Sequence, residues 1–175
     1  MPEVGPDLLR RTLDLGTGVG PLMTGSKLPG HMDLALAQAA AAAARGEVPV
    51  GAVLVDAEGR AVAEAGNRTR ELSDPTAHAE MLVIREACAR LGAERVAGFD
   101  LYATLEPCAM CAAAISFARV RRLYYGASDP KGGGVAHGAR VFNQTTCHHA
   151  PEVYDGMGAE QAAELLRAFF AARRG

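Results

Sequence analysis

Between Met32 and Gly46 the chain reads MDLALAQAAAAAARG, rich in Ala, free of β-branched residues and ended by glycine, which predicts a helix with a Gly C-cap. VPVGAVLVDAEGRAVAEAGN follows as two Val-rich apolar runs split by Asp56 to Arg60, with Gly59 at the turn, the pattern of a hairpin. From Ala77 to Leu91 the apolar residues Met81, Ile84, Ala87, Cys88 and Leu91 recur at steps of three and four before Gly92, so this stretch predicts an amphipathic helix. FDLYATL then reads as a strand, CAMCAAAISFA as a helix introduced by Pro107, and VRRLYYGA as another strand.

Strands alternating with helices imply parallel crossovers. Asp129 to Gly158 is rich in Gly and polar residues and predicts a long connection with at most one short strand, near Glu152 to Tyr154. The chain closes on GAEQAAELLRAFFAARR, a helix whose Leu165, Leu166, Phe169 and Phe170 form an apolar stripe expected to face the core. A hairpin followed by alternating helices and strands predicts an α/β fold of three layers, α/β/α, around a mixed sheet, and no internal repeat is visible.

Composition narrows the setting. At 175 residues the chain fits one domain able to bury a sizeable core. Residues 1–31 are broken by Gly and Pro and contain no continuous apolar run, so they read as a flexible N-terminal extension, a leader, a misplaced start or a functional arm, ahead of a domain spanning 32–175. Four unevenly spaced cysteines without a secretory signal suit a reducing compartment, and a cytoplasmic location is expected. A formal net charge of −2 does not fit a general polyanion binder, so any nucleic-acid contact must be local. The arginine clusters in ARVRR, NRTR and ARRG read first as solvated faces.

The chemistry starts at TLEPCAMC, where Cys108 and Cys111 fall one turn apart at a helix start and can reach one point. A helix N-terminus favours thiolate, which suits a zinc site and a redox pair equally. The upstream DPTAHAE decides between them. His78 with the two cysteines makes three protein ligands, the number that leaves zinc an open catalytic position. Residues two apart do not share a helix side, so His78 and Glu80 can both approach the metal only if it lies off the helix end. Glu80 is then a carboxylate free to move a proton, although an isolated Glu there would read as a partner of the helix dipole.

H-x-E followed by P-C-x-x-C is the known signature of base-modifying zinc deaminases, and HAE with PCAMC matches it. GEVPVGAVLV, GNRTRELSDPTAHAEM and LYATLEPCAMCAAAISFARVRRLYYGASDPKGG further resemble the bacterial tRNA-specific adenosine deaminase family, from about Met32 to the C-terminus. The resemblance implies a cytidine deaminase-like fold with a central five-stranded sheet and one Zn2+ per chain held by His78, Cys108 and Cys111. It also implies a homodimer built on the helix after Cys111 and the segment Val120 to Asp129. The implied reaction converts adenosine to inosine at the anticodon wobble position of an arginine tRNA, with hydroxide generated at zinc attacking C6 and Glu80 as proton shuttle. By position, Asn67 corresponds to a nucleoside contact, Ala79 to a residue whose backbone amide faces the base, and Asp129 and Lys131 to contacts with the anticodon loop.

The rival within the fold is a guanine or other free nucleobase or nucleoside deaminase, since guanine deaminases share HAE, whereas LLRAFFAARR and TLEPCAMC favour the tRNA enzymes. A structural zinc clip would be expected to have four ligands and no need of Glu80. CHH at Cys147 to His149, with His137, lacks a spaced partner pair and reads as surface loop rather than a second metal site. GGGV at Gly132 to Val135 lacks the Lys-Ser or Lys-Thr pair of a phosphate loop.

Overall fold

The computed structural model describes residues 30–174. Four helices, α1 (His31–Ala44), α2 (Ala79–Leu91), α3 (Ala109–Phe117) and α4 (Ala159–Ala171), accompany five strands, β1 (Gly51–Val55), β2 (Ala61–Gly66), β3 (Asp100–Leu105), β4 (Arg122–Ala127) and β5 (Glu152–Tyr154). The sheet order is β2-β1-β3-β4-β5. Strand β1 is antiparallel to both β2 and β3, so β2 and β3 run parallel with β1 between them, and β3, β4 and β5 are mutually parallel. Helices α1 and α4 cover one face and α2 and α3 the other, the three-layer mixed-sheet fold the pattern implied.

Strand β1 is buried at every position because its two faces serve two cores. Ala52 and Leu54 join the larger cluster with Val83, Ile84, Leu101, Ile115, Leu123 and Tyr125, while Val53 and Val55 pack against Met32 and Ala35. A strand covered on both faces loses polar alternation, which is why VGAVLV reads as a continuous apolar run. The Ala run of α1 has a steric role. Ala35, Ala39 and Ala42 are fully buried, and a Cβ on Gly51 would collide with the α1 backbone at Ala35, so small residues on both sides let the helix lie directly on the sheet.

Several details differ from the sequence reading. His31, placed in the extension, opens α1, and its Nε2 lies 3.0 Å from the Gly59 carbonyl oxygen; the rest of the extension up to residue 29 lies outside the described residues. The buried face of α2 runs through Ala79, Glu80, Val83, Ile84 and Ala87, leaving Met81 half-buried and Leu91, the last residue of the helix, 53% exposed. In α4 only Ala162 and Phe169 are buried, Leu165 and Leu166 are half-buried, and Phe170 is 46% exposed, so the stripe is not a core stripe. The long connection does hold β5, together with a short 3-10 turn at Val141–Asn143. No helix among the described residues is long and apolar enough to cross a membrane.

Candidate active site

Two helix starts meet at the site. His78 is the N-cap of α2 and Cys108 the N-cap of α3, both extended, with φ near −73° and −68°. An N-cap points its side chain off the helix end, and Cys111, three residues into α3, returns to the same point. His78 Nδ1 lies 3.7 Å from Cys108 Sγ and 3.6 Å from Cys111 Sγ. These three donor atoms all lie within 4.8 Å of one another, the only such His, Cys, Asp or Glu group among the described residues. A His/Cys/Cys set this tight fits tetrahedral zinc with one position left for water.

The electrostatics fit a shared cation. The Cys108 thiol is lowered to about 4, chiefly by its hydrogen bond with Cys111 and, against burial, by His78. Cys111 is raised because it donates to Cys108 and is buried. His78 is raised mainly by its bond to Cys108. Two sulfurs and an imidazole that hold protons between them are a site that releases protons when a metal arrives.

Glu80, in the first turn of α2, is 3% exposed, and its Oε2 has no hydrogen-bond partner among the described residues. Burial raises its carboxyl above the ordinary range. A buried, unsatisfied carboxylate oxygen is costly in a fold that has no use for it, and here it stands beside the ligand triad.

Asn67, at the end of β2, accepts the Ala79 N–H on Oδ1 at 2.9 Å. The two residues expected to contact the nucleoside are thus neighbours, joined by this bond. Asp129 and Lys131 sit together on the turn after β4, where Asp129 Oδ1 accepts the N–H groups of Lys131 and Gly132. The Gly run after Pro130 folds back on the site, since Gly133 bridges Cys108 and the Gly134 N–H donates to Pro107 O at 2.8 Å.

Two features escaped the sequence reading. Lys131 and Asp129 line a groove of about 740 Å³ with Val48, Leu105, Phe170 and Arg174, which sets the basic, aromatic end of α4 beside the turn after β4; His78, Glu80, Cys108 and Cys111 do not line it. The combination of Phe and Arg in RAFFAARR was the available signal. Glu106, quoted within TLEPC without a role, is 2% exposed and accepts four backbone amides and the His137 ring.

The remaining clusters have ordinary partners. Arg121 makes two bonds to Asp100, Arg122 pairs with Glu152 and Arg68 with Glu71. Cys147 Sγ lies 3.5 Å from Ser116 Oγ, and His149 Nε2 lies 2.6 Å from Val120 O, so CHH ties its loop to α3 and to the segment leading into β4.

Fold and site together are those of a zinc-binding deaminase domain. The family model described as cytidine and deoxycytidylate deaminase zinc-binding region matches residues 26–127. A tRNA-specific adenosine deaminase of Agrobacterium fabrum is 64% identical over 82% of this chain and 93% of its own length. One from Bacillus subtilis is 44% identical over 80% of this chain and 86% of its own. A solved structure from work on A-to-I editing by tRNA:A34 deaminases is 65% identical, with a TM-score of 0.76, covering 78% of this chain and 98% of that one. The chain belongs to the tRNA-specific adenosine deaminase family within the zinc deaminases, and His78, Cys108 and Cys111 fit a single zinc site.

Proposed function

We propose that this protein hydrolyses the exocyclic amine of adenosine at the anticodon wobble position of an arginine tRNA, giving inosine and ammonia. The observation that carries the reading is the buried Glu80 carboxylate, with one oxygen unpartnered, beside the His78, Cys108 and Cys111 donors. Supporting it are the relatives named tRNA-specific adenosine deaminase at 64% and 47% identity.

Zinc, when bound, supplies a water of lowered pKa at the fourth position. Glu80 takes one proton of the attacking water and delivers it to N1 of the base, where inosine keeps it. It then takes the proton of the hydroxyl added at C6 and passes it to the amino group, so that the C6–N bond breaks, ammonia leaves and the oxo base remains. Burial raises the Glu80 carboxyl above the ordinary range, the direction that favours holding a proton. A base must leave its stack to enter the pocket, and Asn67, braced by the Ala79 amide, orients the flipped nucleoside. Asp129 and Lys131 meet the anticodon loop. The groove they share with Phe170 and Arg174 offers a stacking face and cationic side chains to the flanking nucleotides.

The homodimer in this reading uses α3, where Phe117 is 69% exposed, together with the segment Val120 to Asp129, and the reading puts the reaction in the cytoplasm. The runner-up activity is guanine deamination, because a guanine deaminase structure from Bacillus subtilis is 30% identical with a TM-score of 0.56 over 83% of this chain. Incubation with an arginine tRNA carrying a wobble adenosine, and separately with free guanine, decides between the two. Inosine in the tRNA and no ammonia from guanine is the expected result. Ammonia from guanine with the tRNA unchanged would replace the reading with the runner-up.

A further inference from the structure

Glu106 is a buried carboxylate with no lysine or arginine bound to it among the described residues; its bonds go to one loop. Oε2 accepts the Asp129 N–H at 3.0 Å and stands 2.7 Å from His137 Nδ1. Oε1 accepts the N–H groups of Val135, Ala136 and His137 at 3.2, 2.9 and 3.0 Å. The two oxygens thus hold both ends of the segment 129–137. That segment carries Asp129 and Lys131 and, through Gly133 and Gly134, rests on Cys108 and Pro107.

The loop is shaped around the carboxylate. A Cβ on Gly133 would collide with Glu106 Oε1, and one on Gly134 with the Ala109 backbone, so the glycines are required by close approach. Glu106 itself is fixed from behind, its own N–H donating to Ala127 O at 2.8 Å at the end of β4. Charge-assisted bonds to several amides make a stiff clasp, and they connect the strand that leads to Cys108 with the rim that meets substrate.

We propose that Glu106 is a positioning residue for the RNA substrate: by clasping the segment 129–137 it sets Asp129 and Lys131 relative to the zinc site, and it acts on substrate binding more than on the chemical step. The inference rests on the tRNA reading above. Rigid placement of contact groups is what a loop needs to bind a shaped RNA without paying an ordering cost on each encounter.

The test uses E106Q, which turns one acceptor oxygen into a donor facing either Asp129 or the far amides, and G133A, which presses on the same contact from the loop side. Zinc content, kcat and KM on an arginine tRNA anticodon stem-loop, and amide hydrogen exchange are measured in the full chain. Both variants are expected to retain zinc, to raise KM by about tenfold or more with kcat reduced by less than about threefold, and to lose exchange protection at Asp129 and at Val135 to His137. An unchanged KM, a loss confined to kcat, or loss of zinc in both variants would overturn the proposal, the last because the clasp would then serve the metal site. If E106Q does not fold, G133A alone decides. A wild-type protein that leaves the stem-loop unmodified strikes the tRNA reading instead, whatever the variants do.

Discussion

Glu80 and Glu106 are both buried carboxylates within a few residues of zinc ligands, yet their surroundings are opposite. Glu106 has every oxygen engaged, and the amides of Asp129, His137 and Ala136 together with the His137 ring overcome burial and hold it at about 2. Glu80 keeps an oxygen without a partner, and burial raises it. A carboxylate that is fully hydrogen-bonded is fixed as an anion and shapes the structure; one left unsatisfied at the same depth is available to a proton. Burial alone would not have told them apart.

The largest effect on this contrast comes from removing the metal that gives Glu80 its task. Cys111→Ser is expected to reduce bound zinc to near zero by metal analysis and to abolish inosine formation, while retained stoichiometric zinc would contradict the ligand assignment. Next is Glu106→Ala, which strands four amides. Unfolding by urea is expected to show a loss of about 3–5 kcal/mol, and a loss below about 1 kcal/mol would mean that water satisfies the loop equally well.

A smaller effect follows from pH. The folded Glu106 value lies below the ordinary 4.5, so its contribution is complete above about pH 4.5 and is lost as pH falls toward about 2. The stability gap between wild type and E106Q should therefore shrink in acid, by up to about 3 kcal/mol across that window. A gap that widens in acid would reverse the sign. Smallest is Arg174→Ala at the groove. It is expected to change stability by less than about 0.5 kcal/mol, weaken RNA binding, and lower the salt slope of binding by about one.

The clustering of His78, Cys108 and Cys111 and the nearby place of Glu80 were legible in the sequence because each pair lies within one helix start, and local spacing fixes their geometry. The strands and both crossovers were legible for a similar reason, being marked by apolar runs and by Gly and Pro. Glu106 was not, since its partners Asp129 and Val135 to His137 come from a Gly-rich loop whose path no periodicity encodes. The α4 stripe misled because apolar spacing identifies a face without saying what covers it; Phe170 turns out beside Lys131 in a groove. The Ala79 amide shows the same limit, for its bond to Asn67 joins residues from different elements.

The central claim is that Glu80 is the carboxylate free to carry the proton. Its most direct test is Glu80→Gln, isosteric and uncharged, with zinc per chain and inosine in an arginine tRNA measured on the same preparation. Full zinc with turnover reduced by about 100-fold or more is the predicted result. Full zinc with near wild-type turnover would contradict it.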